Sequence, residues 1–320
     1  MRAAIRSRYG PPHLVRIEEV NEPIVADDQV LVQLRAASIN RADWYSVTGR
    51  PFVARLGTGL RIPKDPRIGG DFAGTVEEVG ASVTDFRPGD DVFGGRSGAF
   101  AERLVVRNAV VTKPPGISFE QAAAIPTAGV TALQALRDHG GLQAGQQVLV
   151  NGASGGVGVF AVQIAKVLGG VVTAVCSTAN VEQASRLGAD EVVDYTREDF
   201  TARDARFDVV IDIAGSRKWR EFKKVLAPTA RVVVVGGPKD NAVLGPLLHI
   251  AGIRVASMLG SQASTFFIAG FNRADLTFLG KLAESGELQV PIEATYPFER
   301  VADALRHMEG HVRSKVVLTF

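Results

Sequence analysis

Ala153, Gly155 and Gly158 fall at the three fixed positions of a G-x-G-x-x-G pattern, within Val148-Leu149-Val150-Asn151-Gly152-Ala153-Ser154-Gly155-Gly156-Val157-Gly158. In such a turn the first position allows a tight bend and the second lets backbone approach a pyrophosphate. The third lets the following helix pack closely on the sheet. Alanine at the first position departs from the pattern. An apolar strand precedes the turn, and the spacing of Val159, Val162 and Ala165 predicts a helix over 157–168, ended by Gly169-Gly170. The free amides and dipole at its start favour an anion. A second strand over 171–175 completes a strand-helix-strand unit of about 30 residues, the context that a dinucleotide fingerprint requires. Ser154, Gly156 and Val157 complete the expected binding turn. The competing reading is a glycine-rich turn with no ligand.

The elements around this turn alternate. Strands are predicted over 191–193, 207–213, 231–235 and 253–259, with near-continuous Val and Ile runs that suit a parallel sheet covered on both faces. Ala214 and the pair Gly236-Gly237 follow two of these runs, at the edge where such sheets bind ligands. The first third reads differently. Val30, Val32 and Leu34 alternate with Leu31, Gln33 and Arg35, the ranges 70–79 and 99–106 are strand-like, and Arg87-Pro88-Gly89-Asp90 supplies a turn. A separate, mostly antiparallel domain is expected there. Lys113-Pro114-Pro115-Gly116 punctuates the change, Ser118 and Gln121 stand at capping-box spacing, and a second helix is expected over 129–138, ending at Gly140-Gly141. Helices over 276–284 and 300–308 precede a terminal strand, 315–320. That strand must pair with a sheet, and the first domain is the candidate.

Composition narrows the partners. The 320 residues suffice for about two domains. With 36 basic and 34 acidic residues scattered along the chain there is no stripe suited to nucleic-acid phosphates. Neither an apolar run behind the basic N-terminus nor a membrane-spanning length occurs, so no nucleic-acid or membrane partner and a cytoplasmic location are expected. Cys176, the single cysteine, can form neither an internal disulfide nor a thiolate zinc site. His13, His139, His249, His307 and His311 have no metal-ligand spacing and read as surface or packing residues. A small-molecule partner remains.

The order of these features resembles the medium-chain dehydrogenase/reductase superfamily, specifically its zinc-independent quinone oxidoreductase branch, which includes zeta-crystallin. The resemblance covers essentially the whole chain. It rests on the segment from Ala36 to Tyr45, on Gly69-Gly70-Asp71-Phe72-Ala73-Gly74-Thr75-Val76, on Phe86-Arg87-Pro88-Gly89-Asp90 and on the fingerprint. It implies an α/β protein: a Rossmann doubly wound parallel sheet over 121–261, and a GroES-like β-rich barrel domain from 1–120 and 262–320, with the active site in the cleft between them. It also implies a homodimer formed through the Rossmann domain. Zinc-dependent relatives carry a Cys ligand where this chain resembles them with Ser38, and Gly-His-Glu where it has Gly69-Gly70-Asp71. Their structural-zinc cysteines are missing too, so the expectation is an enzyme without zinc. A conjugated, already electrophilic acceptor does not need the metal.

No carboxylate follows the second strand, where Val175-Cys176-Ser177-Thr178-Ala179-Asn180 stands, and a carboxylate there would select NAD. Ser177 and Asn180, which also suit helix capping, and Tyr195, matching a phosphate-gripping tyrosine of the family, favour NADPH over NADH. The family's basic residue in this loop is absent. By resemblance, Asn40, Asp43 and Tyr45 face the nicotinamide, with Thr127 and Thr131 on its other side. Asn40 would bond the substrate carbonyl or the ribose, Asp43 is explained equally well as a helix cap, and Tyr45 carries a phenol suited to proton relay, in competition with water. Trp44 and Phe52 are candidate apolar walls, with core packing as the competing reading for either, and the loop 50–67 is a candidate entrance. The reaction implied is hydride transfer from NADPH to a quinone or an α,β-unsaturated carbonyl. An enoyl-thioester reductase and a cofactor-bound, non-catalytic crystallin-like or sensor protein are the alternatives.

Overall fold

The computed structural model describes residues 1–52, 55–237, 247–258 and 260–320. The chain forms two compact units. Met1–Val130, Gly270–Gly286 and Val290–Phe320 make the first, and Thr131–Ala269 with Glu287–Gln289 the second. The crossings lie somewhat further along the chain than the expected 120/121 and 261/262.

In the first unit, β1 (Arg2–Ile5) and β2 (Arg16–Glu19) form an antiparallel pair. The main sheet contains β3 (Val30–Ile39), β4 (Asp71–Val79), β5 (Asp91–Gly95), β6 (Arg103–Val106) and β7 (Val110–Thr112). In the second unit, among the described residues, six strands follow, β8 (Gln147–Asn151), β9 (Val171–Cys176), β10 (Glu191–Asp194), β11 (Phe207–Asp212), β12 (Leu226–Val234) and β13 (Ala263–Phe266). The chain then returns to the first sheet with β14 (Ile292–Pro297) and β15 (Lys315–Thr319). That sheet runs β14-β15-β3-β4-β5-β7, with β6 also on β3. Every pairing in it is antiparallel except β14 with β15. The terminal strand therefore pairs in the first unit's sheet, as its apolar sequence requires.

The second unit's sheet runs β10-β9-β8-β11-β12-β13 and is parallel throughout. Strand order reverses at β8: β9 and β10 lie to one side, β11 to β13 to the other. The carboxyl ends of β8 and β11 mark the topological switch point, where sheets of this class bind ligands. Leu149, Val210, Val232 and Val234 pack with Trp219, Phe222, Ile250 and Ile253 beneath it.

Two expectations need correction. The segment 253–259, expected as a strand, belongs through Ser257 to a helix, Leu247–Ser257, and Leu259 lies outside the described residues. Its buried residues Ile250, Ile253 and Ser257 are spaced by three and four, the helical period, which outweighs the strand preference of Ile and Val. The sixth strand is β13 instead. The second helix starts earlier than expected, spanning Pro126–Gln134, and passes into a π-helical turn over Ala135–His139. The predicted capping box holds: Gln121 N–H donates to Ser118 Oγ at 3.2 Å and Ser118 N–H to Gln121 Oε1 at 2.9 Å.

Candidate active site

The fingerprint turn joins β8 to a helix, Gly158–Val167, at the switch point. The residue that needs a left-handed backbone is Gly152, with φ 97°, one place before Ala153. That is why alanine is tolerated at the first pattern position. Ala153 itself is buried, while Ser154, Gly155, Gly156 and Val157 are half-buried along the turn. The two later glycines act differently. A Cβ on Gly158 would stand 2.2 Å from the Gly152 carbonyl oxygen, so the closure of helix on turn excludes a side chain. A Cβ on Gly155 would meet nothing nearer than 3.7 Å. It would instead fill the open cradle above the turn, where unpaired amides at a helix start receive an anion. The residues present thus fit a dinucleotide pyrophosphate.

A buried polar network ties the switch point together. Asn151 Nδ2 donates to Asp212 Oδ1 at 2.8 Å and to Ser216 Oγ at 3.2 Å, and Gly215 N–H donates to the same carboxylate at 3.0 Å. His249 Nε2 lies 3.1 Å from Asp212 Oδ2, which gives that histidine a structural partner. Ala214 N–H donates to Asn151 O, and Gly236 N–H to Asp212 O. A Cβ on Gly236 would overlap Ile213 O at 2.2 Å, and Gly237 beside it is half-buried. Asn151 and Asp212 escaped the sequence reading. Their signal was a polar residue closing each of two apolar runs.

The loop expected to select the cofactor is built from two strands. Tyr195 N–H donates to Cys176 O, and Thr178 Oγ1 lies 2.8 Å from Thr196 Oγ1. Asn180 Nδ2 donates to Ser177 Oγ at 2.9 Å, so these side chains bond each other and make no cap bond to the helix start. Asn180 Oδ1 is buried without a partner among the described residues, and Tyr195 is 54% exposed. A carboxylate does reach this loop, from the neighbouring strand. Asp194 accepts from Thr178 Oγ1 at 2.5 Å and from Thr196, with Arg197 Nε at 3.5 Å. These hydroxyls and the guanidinium hold its carboxyl below the usual range. Cys176 is buried at the end of β9, and burial raises its thiol to about 11.

In the first unit, Asn40, Asp43, Asp71, Thr127 and Lys315 converge. Asp71 is fully buried and opposes Ser38 across the β3–β4 pair. It accepts from Asn40 Nδ2 at 2.8 Å and from Thr127 Oγ1 at 2.6 Å and Thr127 N–H at 3.1 Å. Lys315, 2% exposed, donates to Asn40 Oδ1 at 2.6 Å and stands 4.0 Å from Asp71. Burial pushes the Asp71 carboxyl up and the Lys315 ammonium down, and their mutual attraction opposes both shifts. Asp43 accepts from Asn40 N–H at 2.7 Å, the bond of a helix cap. Burial raises its carboxyl to about 7, against that hydrogen bond.

Tyr45 lies on the same short helix, Arg41–Thr48, with its phenol making no hydrogen bond among the described residues. Burial raises its pKa, opposed by the charge of Arg41. Trp44 meets its ring edge-on at 5.6 Å and packs against the first unit's core, whereas Phe52 is 42% exposed. Thr127 and Thr131 are four residues apart on the Pro126–Gln134 helix and share a face. The Thr127 hydroxyl is committed to Asp71. Sequence reading missed Lys315 and Asp71 as members of this cluster, because nothing local links position 315 to position 40. Ser38 Oγ is buried without a partner among the described residues. A Cβ on Gly70 would have Asp43 Oδ1 and Thr127 Oγ1 as neighbours at 3.8 and 3.9 Å, room that a side chain could use. Among the described residues no three His, Cys, Asp or Glu side chains converge in a group that could hold a metal ion.

Residues 26–116 match the alcohol dehydrogenase GroES-like domain, and residues 187–318 the zinc-binding dehydrogenase family. A chloroplastic quinone oxidoreductase, QR1, of Triphysaria versicolor is 31% identical, covering 94% of this chain and 92% of its own. A 2-methylene-furan-3-one reductase of Solanum lycopersicum is 33% identical, covering 99% and 79%. The crystal structure of Escherichia coli quinone oxidoreductase complexed with NADPH superposes with a TM-score of 0.84 at 26% identity, covering 100% of both chains.

Proposed function

This chain belongs to the quinone oxidoreductase branch of the medium-chain dehydrogenase/reductase superfamily, and from that premise we propose that it reduces a quinone or α,β-unsaturated carbonyl with NADPH and without zinc. The observation that carries the reading is the fingerprint turn at the switch point, whose Gly155 leaves an open, amide-lined cradle. The nicotinamide, when bound, supplies the hydride. The chain's own residues do the rest. Gly152 to Gly158 hold the pyrophosphate, Ala214, Gly236 and Gly237 line the strand ends along which the rest of the dinucleotide would lie, and Ser177, Asn180 and Tyr195 meet the ribose phosphate. Tyr45 is the candidate donor to the acceptor oxygen, because its phenol is uncommitted. Asn40 has its oxygen on Lys315 and its amide nitrogen on Asp71 at 2.8 Å and on Ser38 O at 3.5 Å, so the long bond to Ser38 is the one that an incoming oxygen would replace. Asp43 is assigned to capping.

A homodimer would pair two copies through β13. Among the described residues this strand is one of the two edges of the second unit's sheet, β10 being the other. Phe266, Ile268, Leu248, Val255 and Met258, on and beside it, are 39–87% exposed.

Steady-state turnover with NADPH and NADH across quinones, enones and enoyl-thioesters tests the reading. Turnover of quinones or enones, faster with NADPH, is expected. Preference for thioesters would identify the enoyl reductase, and nucleotide binding without turnover the crystallin-like alternative.

A further inference from the structure

We infer that residues 55–64 form a docking point for an anionic lipid surface. The segment is a closed turn. One helical turn, Arg55–Thr58, ends at Gly59 with φ 119°, where a Cβ would overlap Ile62 O at 2.1 Å. Lys64 N–H then donates back to Thr58 O at 2.9 Å. Tyr9 pins it from below, its hydroxyl donating to Gly59 O at 2.8 Å and lying 2.9 Å from Thr58 Oγ1. The Arg55 guanidinium lies over the Tyr9 and Phe52 rings at 4.4 and 4.6 Å and donates to Gly49 O. The turn is thereby fastened to the end of the helix that carries Asp43 and Tyr45.

What the turn presents is unusual for a surface loop. Leu56, Leu60 and Ile62 are 70%, 67% and 66% exposed, three aliphatic side chains within seven residues. The exposed cations nearby, Arg8, Arg50, Arg61 and Lys64, make no ion pair among the described residues. Elsewhere on the surface Arg2, Arg67, Arg103 and Arg273 are each paired with a carboxylate. Asp65 is the one acid between positions 50 and 67, and Arg67 holds it. Apolar tips ringed by uncompensated positive charge are the signature of a surface that inserts shallowly among anionic headgroups. A second copy bringing the same patch would set cations against cations. Such docking differs from spanning, and no described helix is long and apolar enough to cross a membrane. If the acceptor is a lipid-soluble quinone, the protein would meet it there. That clause alone rests on the proposed function.

Co-sedimentation of the full chain with phosphatidylcholine–phosphatidylglycerol vesicles, against phosphatidylcholine alone, tests the docking without any turnover. Its failure would leave the oxidoreductase reading untouched. Binding to the anionic vesicles that salt weakens is expected. Leu60→Ser/Ile62→Ser should lower it by about tenfold or more, and Arg61→Gln/Lys64→Gln by about tenfold, while NADPH binding followed by fluorescence stays unchanged and reports an intact fold. Absence of vesicle binding, equal binding to both lipids, or undiminished binding by both variants would overturn the proposal. So would dissociation of a lipid-free oligomer by Leu60→Ser/Ile62→Ser in sedimentation velocity, since the patch would then be a contact between copies.

Discussion

Lys315 Nζ donates to Asn40 Oδ1 at 2.6 Å across 275 positions of sequence, so the final strand of the chain fixes the orientation of a carboxamide at the end of β3. Asp71 grips the other end of the same amide. A cation, an amide and an anion buried in series are costly to desolvate and costly to break.

Lys315→Met leaves Asp71 buried without its counter-charge and should cost about 3–5 kcal/mol in urea unfolding. Adding Asp71→Asn should recover part of that loss, because the orphaned charge is removed as well. Equal stability of the wild type and the single variant would show that the pair contributes nothing.

Asp43 makes stability depend on pH. Its folded-state carboxyl stands at about 7 against 3.8, so between those values the folded protein holds a proton that the unfolded chain has lost. Stability from this group is therefore present below 3.8 and lost as pH rises toward 7. Asp71, also raised by burial, acts in the same direction. Urea midpoints measured across this window should fall less steeply with pH in Asp43→Asn than in the wild type. An unchanged slope would rule out the shift.

Gly155→Val and Gly158→Val should separate. The first projects into the open cradle and should abolish nucleotide binding with little change in melting temperature. The second must push the Gly152 carbonyl aside and should lower both. Titration of NADPH fluorescence beside thermal melts decides it, and undiminished affinity in Gly155→Val would mean that the turn holds no phosphate.

A 2′-phosphate contact through Ser177, Asn180 or Tyr195 is worth ~1.5–3 kcal/mol, or about tenfold or more in affinity for NADPH over NADH. Ser177→Asp should reverse the preference. Equal dissociation constants for the two nucleotides in the wild type would refute the assignment of this loop.

Tyr45→Phe should lower turnover by ~10²-fold if the phenol donates to the developing oxyanion, leaving NADPH affinity in place. Wild-type turnover would assign the proton to water.

The parts that sequence reading reached were those with local signals: the alternation of β3, the glycines of the turn, the Ser118 capping box, the terminal strand. It failed where a short apolar run had no period of its own to consult. Ile253 to Ser257 looks like a strand until Ile250 is included, and then the spacing is helical. The first-unit cluster was half legible. Asn40, Asp43 and Tyr45 fall in one short segment and Thr127 came by resemblance, while Asp71 and Lys315 join them only through the pairing of β3 with β4 and β15. Cofactor choice was read from one loop, yet Asp194 enters that loop from the next strand.

The placement of β15 between β14 and β3 has a consequence for synthesis. Residues 1–130 emerge first from the ribosome, but their sheet lacks its two last strands, and Asp71 its ammonium, until Lys315 has been made. The second unit, almost wholly contained in 131–269, can form in the interval. The second unit's fold can thus precede the polar cluster, and the Ala36–Ile39 end of β3, which β6 does not cover, is the edge that must be kept from pairing with another chain until β15 has been made.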